Sequence, residues 1–233
     1  MKHLLLLHGA LGSSAQFNEI KVQLADHVVC HTPDFFGHGK LADSRDDFSI
    51  EGFAHQIHDY CNKMKLDEVA VFGYSMGGYV ALCLARHQPD LVSSIVTLGT
   101  KFDWTSDHAT REIQRLDPFK MQQKAPEFIS ELKELHGEEN WKSVVEKTAL
   151  MLKEMGEQPV LQEPDLAVIR TPVLLMLGDE DRMVSTKETD WAAEHLANAS
   201  VQMLPETPHP FNKVESDKLV KPLLKFISQP AAG

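Results

Sequence analysis

The chain has 233 residues, of which 42% are hydrophobic and 24% are charged, and its formal net charge is -11 at pH 7. This length and balance are typical of a globular protein with a sizeable core, and they exclude a disordered or fibrous chain. The negative charge also argues against nucleic acid or an anionic membrane surface as a partner, because both are negatively charged themselves.

The first predicted element is an apolar run at the start of the chain. Residues 4–7 are all leucine and lead directly into His8-Gly9. A secretory signal needs a longer apolar core, and a membrane span needs about 18 apolar residues. We therefore predict a buried strand here, and no membrane anchor.

Further along the chain, short apolar runs alternate with amphipathic stretches. This alternation is typical of βα units that build a mostly parallel sheet with helices on both faces. The predicted strands cover residues 3–7, 28–32, 68–72, 94–98, 173–177 and 201–204. Between the second and third strands, apolar residues at spacings of three and four predict a helix that begins after the capping residue Ser49.

The three cysteines are Cys30, Cys61 and Cys83. Their number is odd, and each lies in an apolar stretch without the spacing of a disulfide framework or a metal site. Free thiols in a reducing compartment follow from this pattern, so we expect a cytoplasmic protein.

Residues 101–170 interrupt the strand and helix alternation. The segment is rich in Glu, Lys, Gln, Met and Leu, and Pro118, Pro126, Gly137 and Gly156 divide it into roughly three predicted helices. We predict an α/β core made of residues 1–100 and 171–233, and a helical cap made of residues 101–170. A cap inserted there would lie over the carboxyl ends of the strands, where open α/β sheets bind their ligands.

The strongest chemical signal is Gly73-Tyr74-Ser75-Met76-Gly77, which joins the third predicted strand to a helical run. A serine in a sharp strand-to-helix turn holds its hydroxyl clear of the sheet, and flanking glycines let the strand and helix approach closely. Ser75 is therefore the predicted nucleophile. The alternative for a bare five-residue match is an incidental serine in a glycine-rich turn.

A second glycine-containing loop, His8-Gly9-Ala10-Leu11-Gly12, follows the first strand. A loop in this place can direct backbone N–H groups at a substrate carbonyl. We predict that the N–H groups of Ala10 and Met76 form the oxyanion hole. An ordinary turn between strand and helix is the alternative.

Together with these two motifs, three further segments resemble the α/β-hydrolase superfamily, and in particular its compact esterase-like branch with a helical cap. They are Asp34-Phe35-Phe36-Gly37-His38-Gly39, similar to the D-x-x-G-H-G turn, Gly178-Asp179-Glu180-Asp181, similar to the G-x-x-D that carries the acid, and Pro208-His209, where the superfamily usually has Gly-His. The resemblance spans nearly the whole chain. It implies a mostly parallel six-stranded sheet that lacks the superfamily's first two strands.

The resemblance further implies that His209 is the general base and that an acidic side chain orients it. Serine needs both partners, because its free hydroxyl is barely nucleophilic at neutral pH. We assign the acid to Asp181, the third residue after Gly178. Asp179, and Asp103 just after the fourth strand, are the alternatives.

The aromatic and methionine residues of the cap predict a substrate with an apolar part, since some of them would roof the cleft. The candidate substrate contacts are Leu11, Tyr74, Phe102 and Met183. No cofactor is implied. No metal site is expected either, because His55 and His58 lack a neighbouring thiol or carboxylate cluster.

These features together predict a serine hydrolase that cleaves a small ester or thioester through an acyl-enzyme on Ser75. The expected partner is a small molecule, and the oligomeric state is left open. Two other functions are compatible with the same fold. One is a carbon–carbon bond lyase or synthase of the menaquinone-pathway type, which typically has arginine where this chain has Tyr79. The other is a receptor that binds a signalling ligand in the hydrolase pocket.

Overall fold

Six parallel strands form the centre of the computed structural model, which describes residues 1–229. They are β1 (Lys2–Leu7), β2 (Val28–His31), β3 (Val69–Tyr74), β4 (Val92–Leu98), β5 (Val173–Gly178) and β6 (Ala199–Leu204). Their order in the sheet is β2-β1-β3-β4-β5-β6, and each neighbouring pair is parallel. The predicted sheet is confirmed, and every predicted strand agrees with an observed one to within two residues at each end.

Helices cover both faces of this sheet and fill the connections between its strands. In chain order they are α1 (Asn18–Leu24), α2 (Ile50–Met64), α3 (Met76–His87), α4 (Ser106–Ile113), α5 (Pro118–Lys124), α6 (Pro126–His136), α7 (Trp141–Glu157), α8 (Glu163–Ala167), α9 (Thr186–His195) and α10 (Ser216–Ile227). The predicted cap of α2 is confirmed, since the Ser49 hydroxyl accepts the Gly52 N–H at 3.0 Å.

The core lies in two layers, because alternate residues of each strand point to opposite faces of the sheet. Leu5 and Leu7 of β1 pack in the layer that contains α2 and α3. Leu4 and Leu6 pack in the layer that contains α1 and α10. All four leucines are fully buried. This two-sided burial explains why the strand reads as a continuous apolar run.

Helices α4 to α8 lie between β4 and β5, in the segment that departs from the strand and helix alternation. The segment holds five helices instead of the three expected. Pro118 and Pro126 each begin a helix, as proline does at a first helical position. Gly156 does not end α7. It lies inside that helix, where α4 packs against α7. The contact needs glycine, because a Cβ atom at this position would collide with Ala109.

A membrane-crossing helix needs a length and hydropathy that no helix in residues 1–229 has.

Candidate active site

Ser75 stands at the junction between β3 and α3 in a strained backbone conformation. Its φ of 50° and ψ of -115° belong to a region that side-chain-bearing residues rarely adopt. Conformations of this kind cost about 1–3 kcal/mol and persist only where the surroundings impose them. Here the Ser75 N–H donates to the Leu98 carbonyl at 2.8 Å, and the Ser75 carbonyl accepts the Thr100 hydroxyl at 2.9 Å.

The glycines around Ser75 let the sheet and α3 approach each other. A Cβ atom on Gly73 would collide with the backbone of Gly77, and one on Gly77 would collide with the Leu7 carbonyl. The turn therefore needs glycine at both places, and no larger residue fits. This is the physical reason for the Gly-x-Ser-x-Gly spacing in the sequence.

His209 pairs with Asp181. The His209 Nδ1 lies 2.7 Å from Asp181 Oδ2, and the two side chains are only 10% and 2% exposed. The other carboxylate oxygen, Oδ1, accepts the backbone N–H groups of Met183 and Val184 at 2.8 and 2.9 Å. An Nδ1–H bonded to Asp181 leaves the lone pair of the imidazole on Nε2.

The other two candidate acids pair elsewhere. Asp103 Oδ2 lies 2.7 Å from His108 Nδ1, at the start of α4. Asp179 Oδ1 accepts the backbone N–H of Thr207 at 3.3 Å. Of the three carboxylates, Asp181 is the one that the structure places against His209.

Gly99 closes the space behind this pair, and the sequence did not single it out. Its φ is +61°, which favours glycine, and a Cβ atom there would lie 3.1 Å from both Asp181 Oδ2 and His209 Nδ1. The residue directly after β4 thus makes room for the two side chains to meet.

The loop after β1 is fixed by the buried imidazole of His8. Its Nδ1 donates to the Gly9 carbonyl at 2.8 Å, and its Nε2 accepts the Phe35 N–H at 3.1 Å. Burial lowers the pKa of His8 to about 4, so the ring is neutral at physiological pH. The neutral ring holds the loop that carries Ala10.

A cavity of about 90 Å³ opens at this point, and Ser75, His209, Ala10 and Met76 all line it. Its wall is mostly apolar. The apolar lining includes Ile50, Trp104, Met151, Leu152, Met155 and Met183. The structure therefore brings the predicted nucleophile, base and oxyanion donors together around one small apolar space.

Of the four candidate substrate contacts, Met183 lines the cavity. Among the described residues 1–229, the other three do not line the cavity. Leu11 packs against a buried cluster formed by helices α5, α6 and α7. Phe102 is a buried core residue whose N–H donates to Glu188 at 3.3 Å. Tyr74 donates its hydroxyl to the His209 carbonyl at 2.8 Å.

His136, at the end of α6, contacts the loops that follow β1 and β2. Its Nδ1 accepts the Gly39 N–H and its Nε2 donates to the Leu11 carbonyl, both at 3.0 Å. The buried ring of His38 lies between His8 and His136, at ring-centre distances of 5.0 and 5.8 Å. Nothing in the sequence marks His136 for this contact, because the residues it joins are 97 and 125 positions away.

Two polar side chains, Lys101 and Glu112, also line the cavity and were not predicted. Lys101 Nζ donates to the Met183 carbonyl at 3.2 Å and lies 3.8 Å from Glu188. Over residues 1–229 we find no group of three or more histidine, cysteine or acidic side chains arranged to hold a metal ion.

Comparison with known proteins identifies the fold family. A family model described as alpha/beta hydrolase fold matches residues 2–158. A thermophilic esterase from Thermogutta terrifontis has a TM-score of 0.78 at 19% sequence identity, and the match covers 97% of this chain and 89% of the esterase. At this level of identity the likeness shows the fold alone.

Among curated proteins, an uncharacterized protein of Mycobacterium tuberculosis is 31% identical over 96 residues, which are 41% of this chain and 28% of that protein. The match therefore spans little more than a quarter of that relative. A monoacylglycerol lipase of Bos taurus is 26% identical over 235 aligned positions, covering 87% of this chain and 67% of the lipase.

Proposed function

The chain belongs to the alpha/beta hydrolase fold family, and we propose that it is a serine hydrolase that cleaves a small ester or thioester through an acyl-enzyme on Ser75. One observation carries the proposal. A strained serine shares a small apolar cavity with a histidine whose Nδ1 is bonded to a buried carboxylate at 2.7 Å. These are the components that nucleophilic acyl transfer requires.

In the proposed reaction, His209 Nε2 takes the proton of Ser75 as Oγ attacks the substrate carbonyl carbon. The carbonyl electrons move to oxygen, and the N–H groups of Ala10 and Met76 stabilise the oxyanion. Collapse of this intermediate breaks the bond to the alcohol or thiol, which leaves with the proton from His209. A water molecule then repeats the sequence on the acyl-enzyme, releases the acid and restores Ser75.

The proposed substrate has a short apolar group. The cavity is about 90 Å³ in volume, and methionine and tryptophan side chains form much of its wall. Trp104, Met151 and Met155 come from residues 101–170, so we assign that segment the role of a cap over the site. The name of the matched monoacylglycerol lipase supports an ester as the substrate class.

We also propose a cytoplasmic location, supported by free Cys30, Cys61 and Cys83.

The test is hydrolysis of p-nitrophenyl esters and matched thioesters of graded acyl length, by the native chain and by Ser75→Ala. We expect Ser75→Ala to abolish turnover, because the acyl-enzyme cannot form. A phosphonate probe should label the native chain once, at Ser75. Ser228→Ala, at the exposed end of α10, is the matched control and should keep full activity.

Three results would contradict the proposal. Substantial turnover by Ser75→Ala, or a probe adduct on another residue, would place the chemistry elsewhere. A rapid burst of acylation followed by negligible turnover would instead favour the receptor function.

A further inference from the structure

We infer that Tyr74 is a positioning residue, whose phenol holds the histidine loop in place relative to the turn that carries the nucleophile. This inference rests on the proposed function. Tyr74 immediately precedes Ser75, at the carboxyl end of β3. Its side chain reaches the loop that carries His209.

The link between the two loops is a hydrogen bond. Tyr74 Oη donates to the backbone carbonyl of His209 at 2.8 Å, between residues 135 positions apart in the chain. The Tyr74 ring also lies 5.5 Å from the His209 ring, measured between ring centres. Burial raises the pKa of Tyr74, so the phenol keeps its proton at physiological pH.

The histidine loop has few other ways to hold His209. Pro208 and Pro210 flank the residue on both sides, and proline has no backbone N–H to donate. Upstream, the loop is fixed at Thr207, whose N–H donates to Asp179 and whose carbonyl accepts the Glu180 N–H. The hydrogen bond from Tyr74 holds the backbone carbonyl of His209, whereas the hydrogen bond to Asp181 holds its ring.

The same tyrosine ring also contacts the oxyanion loop. A Cβ atom on Gly9 would lie 2.8 Å from Tyr74 Cε1, so the ring passes directly over the Gly9 backbone. On its other side the ring packs against Phe211, with ring centres 5.0 Å apart. One side chain therefore touches both loops that must be aligned with Ser75. Tyr74 does not line the cavity, as a positioning role would require.

The test is Tyr74→Phe, which removes the hydroxyl and keeps the ring. Loss of one neutral hydrogen bond predicts a fall in kcat of about 3- to 10-fold, with KM changed less than about twofold. The rate at which a phosphonate probe labels Ser75 should fall by the same factor, because labelling also depends on an aligned His209. A purely structural contribution would lower the Tm without this separation of kcat from KM.

Tyr60→Phe is the matched control. It also removes one phenol hydroxyl, which lies 3.2 Å from His31 Nδ1, away from the cavity. We expect native kcat and labelling rates for this variant.

The inference is wrong if Tyr74→Phe behaves as Tyr60→Phe does. It is also wrong if KM rises while kcat is unchanged, because that result would make Tyr74 a substrate contact. Ser75→Ala separates the two claims. An active Ser75→Ala variant overturns the proposed function, whereas an inactive one together with a fully active Tyr74→Phe variant overturns only the role of Tyr74.

Discussion

Replacing Asp181 by asparagine tests whether this carboxylate determines which ring nitrogen of His209 carries the proton. The two backbone N–H groups at Asp181 Oδ1, from Met183 and Val184, are fixed donors. In Asp181→Asn the amide oxygen must therefore stay at this position, because the reverse orientation sets an NH₂ group against two donors. The NH₂ group then faces His209 Nδ1, where the carboxylate oxygen was.

This exchange of an acceptor for a donor forces the wrong tautomer. His209 must accept at Nδ1 and carry its proton on Nε2, so it cannot take the proton of Ser75 as the proposed reaction requires. The same substitution in the best-studied triad lowers kcat by about 10⁴, or about 5.5 kcal/mol of transition-state stabilisation. We expect a loss of that order here, with little change in KM or in the folded structure.

The assay is steady-state hydrolysis of a short p-nitrophenyl ester, with circular dichroism to verify folding. Asp103→Asn is the matched control, since that carboxylate pairs with His108 and is 39% exposed. It should change kcat by less than about twofold. An Asp181→Asn variant that keeps more than about a tenth of kcat would refute this reasoning, as would a larger loss in Asp103→Asn.

Two further predictions concern stability and substrate choice. The pKa of His8, about 4 in the folded chain, is lower than the unfolded value of 6.5. The unfolded state therefore gains protons first as pH falls, and stability should drop by up to ~3 kcal/mol between about pH 6.5 and 4. Urea unfolding at several pH values measures this loss, which should be smaller in His8→Gln; an equal loss in both chains would contradict it. Met155→Ala should enlarge the cavity and raise the kcat/KM ratio of butyrate to acetate esters by about fourfold for each added methylene that fits. Met121→Ala, in the buried cluster formed by α5, α6 and α7, should leave that ratio unchanged, and an unchanged ratio in Met155→Ala would count against the cavity assignment.

The sheet could be predicted closely because each strand is a short apolar run bounded by turn residues. Such local signals do not depend on distant parts of the chain. The helices of residues 101–170 were harder to divide, since a glycine ends a helix in one context and permits close packing in another. Gly137 follows the end of α6 with a φ of +89°, whereas Gly156 lies within α7 to admit α4.

The candidate chemical groups were likewise easier to locate in the sequence than the residues that surround them. Ser75 lies in a motif whose two glycines are required because a Cβ atom at either place would collide with the backbone. The position of Ser75 can therefore be predicted from the neighbouring sequence alone. The role of Tyr74 depends on a loop 135 positions away, and that of Gly99 depends on where Asp181 and His209 meet. Neither juxtaposition has a local sequence signal.

The hydrogen bonds of His136 bear on how this protein could be recombined with its relatives. One imidazole from α6 satisfies the Leu11 carbonyl, next to Ala10, and the Gly39 N–H of a second core loop. A chimera that exchanges residues 101–170 for the corresponding segment of another family member removes both partners at once. The grafted segment must bring its own donor and acceptor to these two places, so a functional crossover has to be chosen together with the loops at Leu11 and Gly39.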